Sequence, residues 1–355
     1  MVTVRKERYE DMKIALDGMG GDKAPGIVVE GAIEAIKEYG YNIILVGQKE
    51  VLEKELLPYE YDKDKLEIAD APQVVKMSDS PISPIRSKKE SSISVAVRLV
   101  KEEKADAVVS AGNTGASVCA ATFSLGLLTG IERPGISIVF PTCDGGNALM
   151  IDAGANIDPK PIHLLQYGVM ADAYCRYILG KPNPRVGLLS IGEEETKGTD
   201  FIKETHKLLD TTRLNFMGNV EGRNIFTGEC DVILCDGFVG NVVLKVSESL
   251  AGAVGKLLKR ELSRNILTIM GAILCRSTFG ALKKELDYAE YGGAPLLGTN
   301  GVCIISHGSS SPRAIKNAVR VAAEFANQNV NKHILDGLRS YDDIMQGMQG
   351  GADKV

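Results

Sequence analysis

Ala105-Asp-Ala-Val-Val-Ser-Ala-Gly-Asn-Thr-Gly-Ala116 is the stretch whose reading decides the fold. A short β-branched run, Val108 and Val109, stops at Ser110. Two glycines follow, Gly112 and Gly115, and then Ala116, Cys119, Ala120, Phe123 and Leu127 recur at helical spacing. This is the pattern of a strand, a tight glycine turn and a helix N-terminus. Glycines let backbone N–H groups approach an anion closely, and a helix start adds unpaired donors and a partial positive charge. Asn113 or Thr114 is placed to cap the helix. One such turn is weak evidence, because many strand–helix crossovers need a glycine for packing.

The layout recurs. Cys230-Asp-Val-Ile-Leu-Cys-Asp-Gly-Phe-Val-Gly-Asn241 repeats the Asp, the apolar run and Gly-x-x-Gly at the same offset. Ile14-Ala-Leu-Asp-Gly-Met-Gly-Gly-Asp22, Val186-Gly-Leu-Leu-Ser-Ile-Gly-Glu193 and Cys303-Ile-Ile-Ser-His-Gly-Ser309 rhyme more loosely. In open α/β sheets, ligands bind outside the carboxyl ends of the strands. If the sheet is mostly parallel, these five strand ends meet at one edge and form a site for an anionic, phosphate-bearing ligand.

Composition narrows the class. The 355 residues suit one large α/β domain or two small ones. The net charge of −5, the lack of Trp and the scarcity of aromatics argue against a nucleic-acid binder. Seven cysteines without a CxxC and four widely spaced histidines indicate neither a disulfide framework nor a metal site, and a reducing cytoplasm fits them best. Met12 directly precedes Lys-Ile-Ala-Leu-Asp, and no apolar signal segment comes before it. Residues 1–11 therefore read as an extension outside the fold.

Along the chain, strands are expected at 13–17, 42–47, 66–69, 136–140, 148–152, 185–190 and 302–306, in addition to the two that end the quoted stretches. Asp144-Gly-Gly-Asn147 joins the fourth and fifth of these as a hairpin, which makes the sheet mixed. The Pro- and Ser-rich segment Ser78–Ser92 carries Arg86, Lys88 and Lys89 and reads either as a functional loop or as an exposed basic connection. Gly192-Glu-Glu-Glu-Thr-Lys-Gly198 sets Lys197 at a glycine-rich strand end. From Val242 the character changes to a helical hairpin. Between Lys256 and Lys284, seven basic residues face one acid, for a local charge of +6 against −11 elsewhere. Its uncharged stretch, 265–275, is too short to span a bilayer. It suits an anionic membrane surface, an acidic protein partner or a dimer contact. Ser311-Pro312 opens a helix as N-cap and first position. The tail from about Asn331 begins as a short helix and is expected to fray.

Several long motifs in order then identify a family. They are Ala15-Leu-Asp-Gly-Met-Gly-Gly-Asp22, Arg86-Ser-Lys-Lys-Glu-Ser-Ser92, Ser110-Ala-Gly-Asn-Thr-Gly-Ala116, Asp152-Ala-Gly-Ala-Asn156, Asp236-Gly-Phe-Val-Gly-Asn241, Tyr291-Gly-Gly293 and His307-Gly-Ser309. From about Met12 to Asn327 the sequence resembles the bacterial acyl-[acyl-carrier-protein]:phosphate acyltransferases of phospholipid synthesis. It departs at Asp17-Gly18, where the family commonly shows Asp-Ala. The resemblance implies a three-layer α/β/α fold like those of phosphotransacetylases and isopropylmalate dehydrogenases, with a mostly parallel mixed sheet. It also implies a cytoplasmic homodimer peripherally associated with the membrane. The reaction it implies carries a fatty acyl group from the acyl carrier protein to inorganic phosphate without a cofactor. A membrane glycerol-3-phosphate acyltransferase then consumes the acyl phosphate. The domain plan is an extension 1–11, a single catalytic domain 12–330 with a hairpin protruding at 242–288, and a tail 331–355.

Phosphate is its own nucleophile, so no serine–histidine pair is needed. The expected catalytic residues are Lys197, Asp236, Asn241 and His307. The expected phosphate- or substrate-binding residues are Asp17, Gly20, Gly21, Asp22, Arg86, Lys89, Ser110, Gly112, Asn113, Thr114, Gly115, Asp152, Asn156, Gly237, Gly240, Gly292, Gly293, Gly308 and Ser309. Arg260, Arg264, Ile266, Ile269, Ile273, Arg276, Lys283 and Lys284 are expected to meet the membrane or the carrier protein. Two rivals differ by substrate or class: a phosphotransacetylase-like enzyme taking acyl-CoA, and a non-catalytic membrane scaffold. A dehydrogenase is disfavoured, since no Gly-x-Gly-x-x-Gly with a following ribose-binding acid stands out.

Overall fold

The computed structural model describes residues 12–80, 87–286 and 292–341. Among them, eleven strands make one sheet: β1 (Lys13–Asp17), β2 (Asn42–Gly47), β3 (Leu66–Asp70), β4 (Ala107–Ser110), β5 (Gly135–Pro141), β6 (Asn147–Ile151), β7 (Arg185–Leu189), β8 (Asn215–Val220), β9 (Val232–Leu234), β10 (Ala294–Leu297) and β11 (Val302–Ile305). Their order is β3-β2-β1-β4-β11-β10-β5-β6-β9-β7-β8. The expected hairpin is present, with β5 and β6 antiparallel from Ser137↔Ile151 to Pro141↔Asn147.

One expectation fails. β10 is antiparallel to both β11 and β5, and β5 is antiparallel to β6. Three successive reversals put the carboxyl ends of β1, β4 and β11 at one edge of the sheet. Those of β6, β9 and β7 lie at the opposite edge, since these three run parallel to one another. The five glycine-bearing strand ends therefore form two groups.

Helices cover both faces: α1 (Gly26–Tyr39), α2 (Lys49–Leu56), α3 (Ser92–Lys101), α4 (Thr114–Leu125), α5 (Pro161–Tyr177), α6 (Asp200–Asp210), α7 (Asn224–Thr227), α8 (Gly237–Leu262), α9 (Ile266–Leu274), α10 (Arg276–Leu286), α11 (Pro312–Asn327) and α12 (Val330–Arg339). Strand side chains alternate between two cores, as a pleated sheet requires. Ile14, Leu16 and Leu45 join α1, α5 and α11 on one face, while Ala15, Val46 and Val108 join α3 and α4 on the other. Each fully buried Leu or Ile contributes about 1.5–3 kcal/mol, so both faces are anchored. The result is a three-layer α/β/α body.

One local expectation is corrected. The buried face of α4 is Ala116, Ser117, Ala120 and Ala121, while Phe123 is 62% exposed and Leu127 lies beyond the helix. Small residues let α4 lie close to its neighbours, so the larger aromatic is turned outward. Past 330, α12 packs on α5 with Val330, Ile334 and Leu338 buried, and Tyr341 is buried after it. The protrusion is three helices, and α8 begins at Gly237, five residues before Val242. Along α8, Val242, Val246, Leu250 and Val254 repeat every four residues and are exposed. On α9, Ile266, Leu267, Ile273 and Leu274 are each at least two-thirds exposed. No helix among the described residues is long and apolar enough to cross a membrane.

Candidate functional site

At the first edge, the turns after β1, β4 and β11 interlock. Asp17 is fully buried and accepts a hydrogen bond from Ser110 Oγ at 2.7 Å. Burial pushes its carboxyl above the ordinary range, against the opposing hydrogen bonds of Ser92, Ser110 and the Met19 and Gly20 amides. A Cβ on Gly20 would stand 2.5 Å from Asp17 Oδ2 and 2.7 Å from the Gly112 nitrogen, so close approach of two backbones requires this glycine. The Gly112 amide donates to Ser110 Oγ at 3.1 Å. Asp17, Ser110, Gly20 and Gly112 are thus joined in one network where the turns after β1 and β4 meet, with the Gly112 amide directed at Ser110. Gly21, at φ +120°, lies beside Gly308, whose carbonyl accepts from the Asp22 amide at 2.8 Å.

Of the two candidate caps, Asn113 is the one used: its Oδ1 accepts from the Ala116 amide at 2.9 Å. Its Nδ2 donates to the carbonyls of Met77 and Asp79, which ties residues 77–79 to the helix start. Lys88 clips the same loop by donating to Val74 O and Asp79 Oδ2. The amides of Thr114 and Gly115 have no partner among the described residues and remain available at the start of α4. Lys89 is exposed. Arg86, Tyr291 and the side chains of Lys283 and Lys284 lie outside the described residues, as do residues 1–11 and 342–355.

At the opposite edge, Asp152 follows β6 with no exposed surface. Its Oδ1 accepts from the amides of Ile136, Gly154 and Ala155, and Oδ2 from that of Asn156 at 2.6 Å. Burial raises its pKa while these four donors pull it back. Asn156 Nδ2 donates to Pro134 O and to Tyr167 Oη, both at 2.6 Å. Both residues shape the 152–156 loop through these hydrogen bonds. Gly237 and Gly240 pack against the same loop. They lie in the first turns of α8, where Cβ atoms would meet Asn156 O at 2.6 Å and overlap the Asp152 carbonyl. Asp236 caps that helix by accepting from the Val239 amide at 2.8 Å. The Gly292–Gly293 pair has φ of +75° and +88° and abuts α11 and β11 at Asn317 and Ile305.

α8 joins the two edges. Its base packs on the 152–156 loop, with Gly154 against Asn241. One turn further, Lys245 Nζ stands 3.0 Å from His307 Nε2, at the turn after β11. His307 Nδ1 lies 2.7 Å from Ser309 Oγ. Lys245 also pairs with Glu248 at 3.0 Å. Sequence reading missed Lys245. The signal was the four-residue step Gly237–Asn241–Lys245, visible only once the helix is started at Gly237.

Lys197 lies in the loop after β7, at the edge of the Asp152 and Asp236 turns, and is exposed. The neighbouring carboxylates do not engage it: Glu193 pairs with Arg223, and Glu195 lies 3.9 Å from His206. No hydrogen bond or ion pair links Lys197 to the other candidates among the described residues.

Known proteins match the chain over nearly its whole length. The fatty acid synthesis protein family matches residues 12–333. The phosphate acyltransferase of Geotalea uraniireducens is 49% identical over 339 residues, covering 95% of this chain and 98% of that protein. That of Pelobacter propionicus is 50% identical over 327 residues, covering 92% and 94%. Among solved structures, the EutD phosphotransacetylase from Staphylococcus aureus superposes with a TM-score of 0.61 at 15% identity, covering 90% of this chain and 96% of that one. A phosphotransacetylase from Streptococcus pyogenes gives 0.61 at 17%, with the same coverage. These two show the fold.

Proposed function

Because the chain belongs to the fatty acid synthesis protein family, among its phosphate acyltransferases, we propose that it acylates inorganic phosphate from an acyl-carrier-protein thioester. It is an acyltransferase. The observation that carries the reading is 49% identity across 339 residues to a phosphate acyltransferase.

The chemistry asks for little beyond what the site offers. An oxygen of hydrogenphosphate forms a bond to the thioester carbonyl carbon, and the C–S bond breaks. The remaining phosphate proton ends on the leaving sulfur, giving acyl phosphate and thiol. A thiol of pKa about 8.5 leaves readily, so the work is holding a dianion against a carbonyl and stabilising the tetrahedral oxyanion. The Thr114 and Gly115 amides suit the anion, and Lys197 suits the oxyanion. Asp236, Asn241 and His307 orient the reactants, on a base built by Asp17, Asp152 and Asn156.

The remaining partners belong to the same proposal. The exposed stripe on α8 is the contact of a homodimer. The apolar α9, flanked by Arg260, Arg264 and Arg276, rests on an anionic membrane surface and makes the enzyme peripheral. A membrane glycerol-3-phosphate acyltransferase takes the greasy acyl phosphate there. The domain plan becomes a single α/β/α body from 12 to 341 with α8–α10 as its arm. The test is to incubate purified protein with labelled phosphate and one long-chain acyl group, carried either by acyl carrier protein or by CoA. Acyl phosphate formed preferentially from the carrier protein is expected. Preference for CoA moves the enzyme to the phosphotransacetylase class, and no product from either refutes the reading.

A further inference from the structure

We propose that Lys245 contacts the phosphate nucleophile, held in place by His307 and Glu248. The inference rests on the phosphate acyltransferase reading and adds a substrate contact to it. An ammonium has only N–H donors, so its 3.0 Å contact is a hydrogen bond only when His307 Nε2 carries no hydrogen. His307 Nδ1, on the other side of the ring, lies 2.7 Å from Ser309 Oγ and 3.2 Å from the Ser309 amide nitrogen. Both ring nitrogens are engaged, so His307 serves here as an orienting group and not as an open base.

Lys245 has three N–H donors. One reaches His307 and one reaches Glu248, 3.0 Å away. The third has no partner among the described residues. The side chain is about half exposed, at 51%, so a ligand can reach it. Its place in the fold supplies the second argument. Lys245 shares a face of α8 with Asn241 one turn away, and through His307 it reaches the edge where the Thr114 and Gly115 amides at the α4 start have no partner among the described residues. It is thus a cation carried from the β9 side of the sheet to the β11 side. β4 lies beside β11 in the sheet, so the α4 start and the His307–Lys245 contact share one edge. Glu248 takes one donor of the ammonium and leaves the third N–H for a ligand.

The test compares wild type with Lys245→Met and Lys245→Arg in steady-state turnover and in equilibrium dialysis against labelled inorganic phosphate. Loss of a charge-assisted hydrogen bond predicts a rise of about tenfold or more in the phosphate KM and dialysis Kd of Lys245→Met. The KM for the acyl donor should stay near that of wild type, and Lys245→Arg should recover most of the phosphate affinity. A purely structural residue would lower the melting temperature without this selective change. If Lys245→Met does not fold, Lys245→Gln, which keeps a donor to His307 but no charge, is judged by the same two measurements. Equal phosphate binding by wild type and the folded uncharged variant, including none by either, overturns the inference. A wild type that binds phosphate but forms no acyl phosphate refutes the functional reading and leaves the phosphate contact to be judged by dialysis.

Discussion

Gly240→Ala tests how the site is built. Gly240 lies in the second turn of α8, where helix propensity alone favours alanine by about 1 kcal/mol. Packing opposes it: the new Cβ would overlap the Asp152 carbonyl oxygen and stand 3.0 Å from Cys235 Sγ. These atoms are backbone and buried thiol, not the end of a flexible chain. Overpacking of this kind costs about 1–3 kcal/mol, which outweighs the propensity gain. Relief requires α8 to retreat by about 1 Å, which moves Asn241 and Lys245 with it. A misplacement of that size at a reacting centre costs roughly 100-fold in rate. Gly252→Ala is the internal control. It lies in the same helix, off the exposed apolar stripe, and a Cβ there meets nothing within 4 Å. It should stabilise by about 0.5–1 kcal/mol and leave turnover unchanged. Thermal and denaturant unfolding give the two signs, and acyl-phosphate formation gives the rates. If Gly240→Ala is as stable and active as wild type, α8 is not seated on the Asp152 loop as described.

Four further outcomes are expected. Lys197→Ala should lower acyl-phosphate formation by at least about tenfold with an unchanged fold, and wild-type turnover in a folded variant would remove Lys197 from the reaction. Gly112→Val should chiefly lower stability, because its Cβ stands 3.2 Å from Ser110 Oγ and 3.4 Å from Asp17 Oδ2; a selective rise in phosphate KM at wild-type stability would restore the phosphate-cradle reading. Asp231 is partly desolvated, which would raise its pKa, but hydrogen bonds from Arg185 and Lys181 win and hold it at about 2, below its ordinary 3.8. It therefore stabilises the fold above pH 3.8, and that contribution drains away as pH falls towards 2; an acid unfolding curve identical for Asp231→Asn and wild type would count against it. Replacing Ile269 and Ile273 by Asp should abolish sedimentation with anionic vesicles while sparing soluble turnover; a variant that still sediments shows that α9 does not insert.

Much of this architecture is legible in the residues, and the misses have physical causes. The strand runs ending at Asp17, Ser110 and Ile305 are short continuous runs and are buried almost throughout. The hairpin β5–β6 carries its turn in Asp144-Gly-Gly-Asn147. β10 was not legible, because Ala-Pro-Leu-Leu holds a proline that argues against a strand, yet this strand reverses the sheet. Strand direction is a property of pairing, and no local pattern encodes which neighbours pair. The start of α8 was missed for a similar reason. Glycines at 237 and 240 lower helix propensity, but tertiary packing needs them where the helix touches the Asp152 loop. The candidate residues were found as motifs, while their division of labour was not: the hydrogen bonds of Asp17, Asp152 and Asn156 turn inward, and those of Lys245 reach across.

The glycine turns first suggested a phosphate cradle, but most of these glycines let backbones touch. That places the burden of binding on a few donors, and α8 explains how those donors are assembled from two sheet edges. A helix of 26 residues is about 39 Å long. Its base is fixed by the Asp236 cap and by contact with the Asp152 loop. Its second and third turns present Asn241 and Lys245, the latter held at His307. Beyond Lys245 the same rod runs outward by about 25 Å to deliver α9, whose apolar residues are exposed. Substitutions should therefore sort by position along one helix. Changes at the base alter the rate, and changes at the tip alter where the enzyme resides. A protein in which tip substitutions cut soluble turnover as deeply as base substitutions would not be organised around this helix.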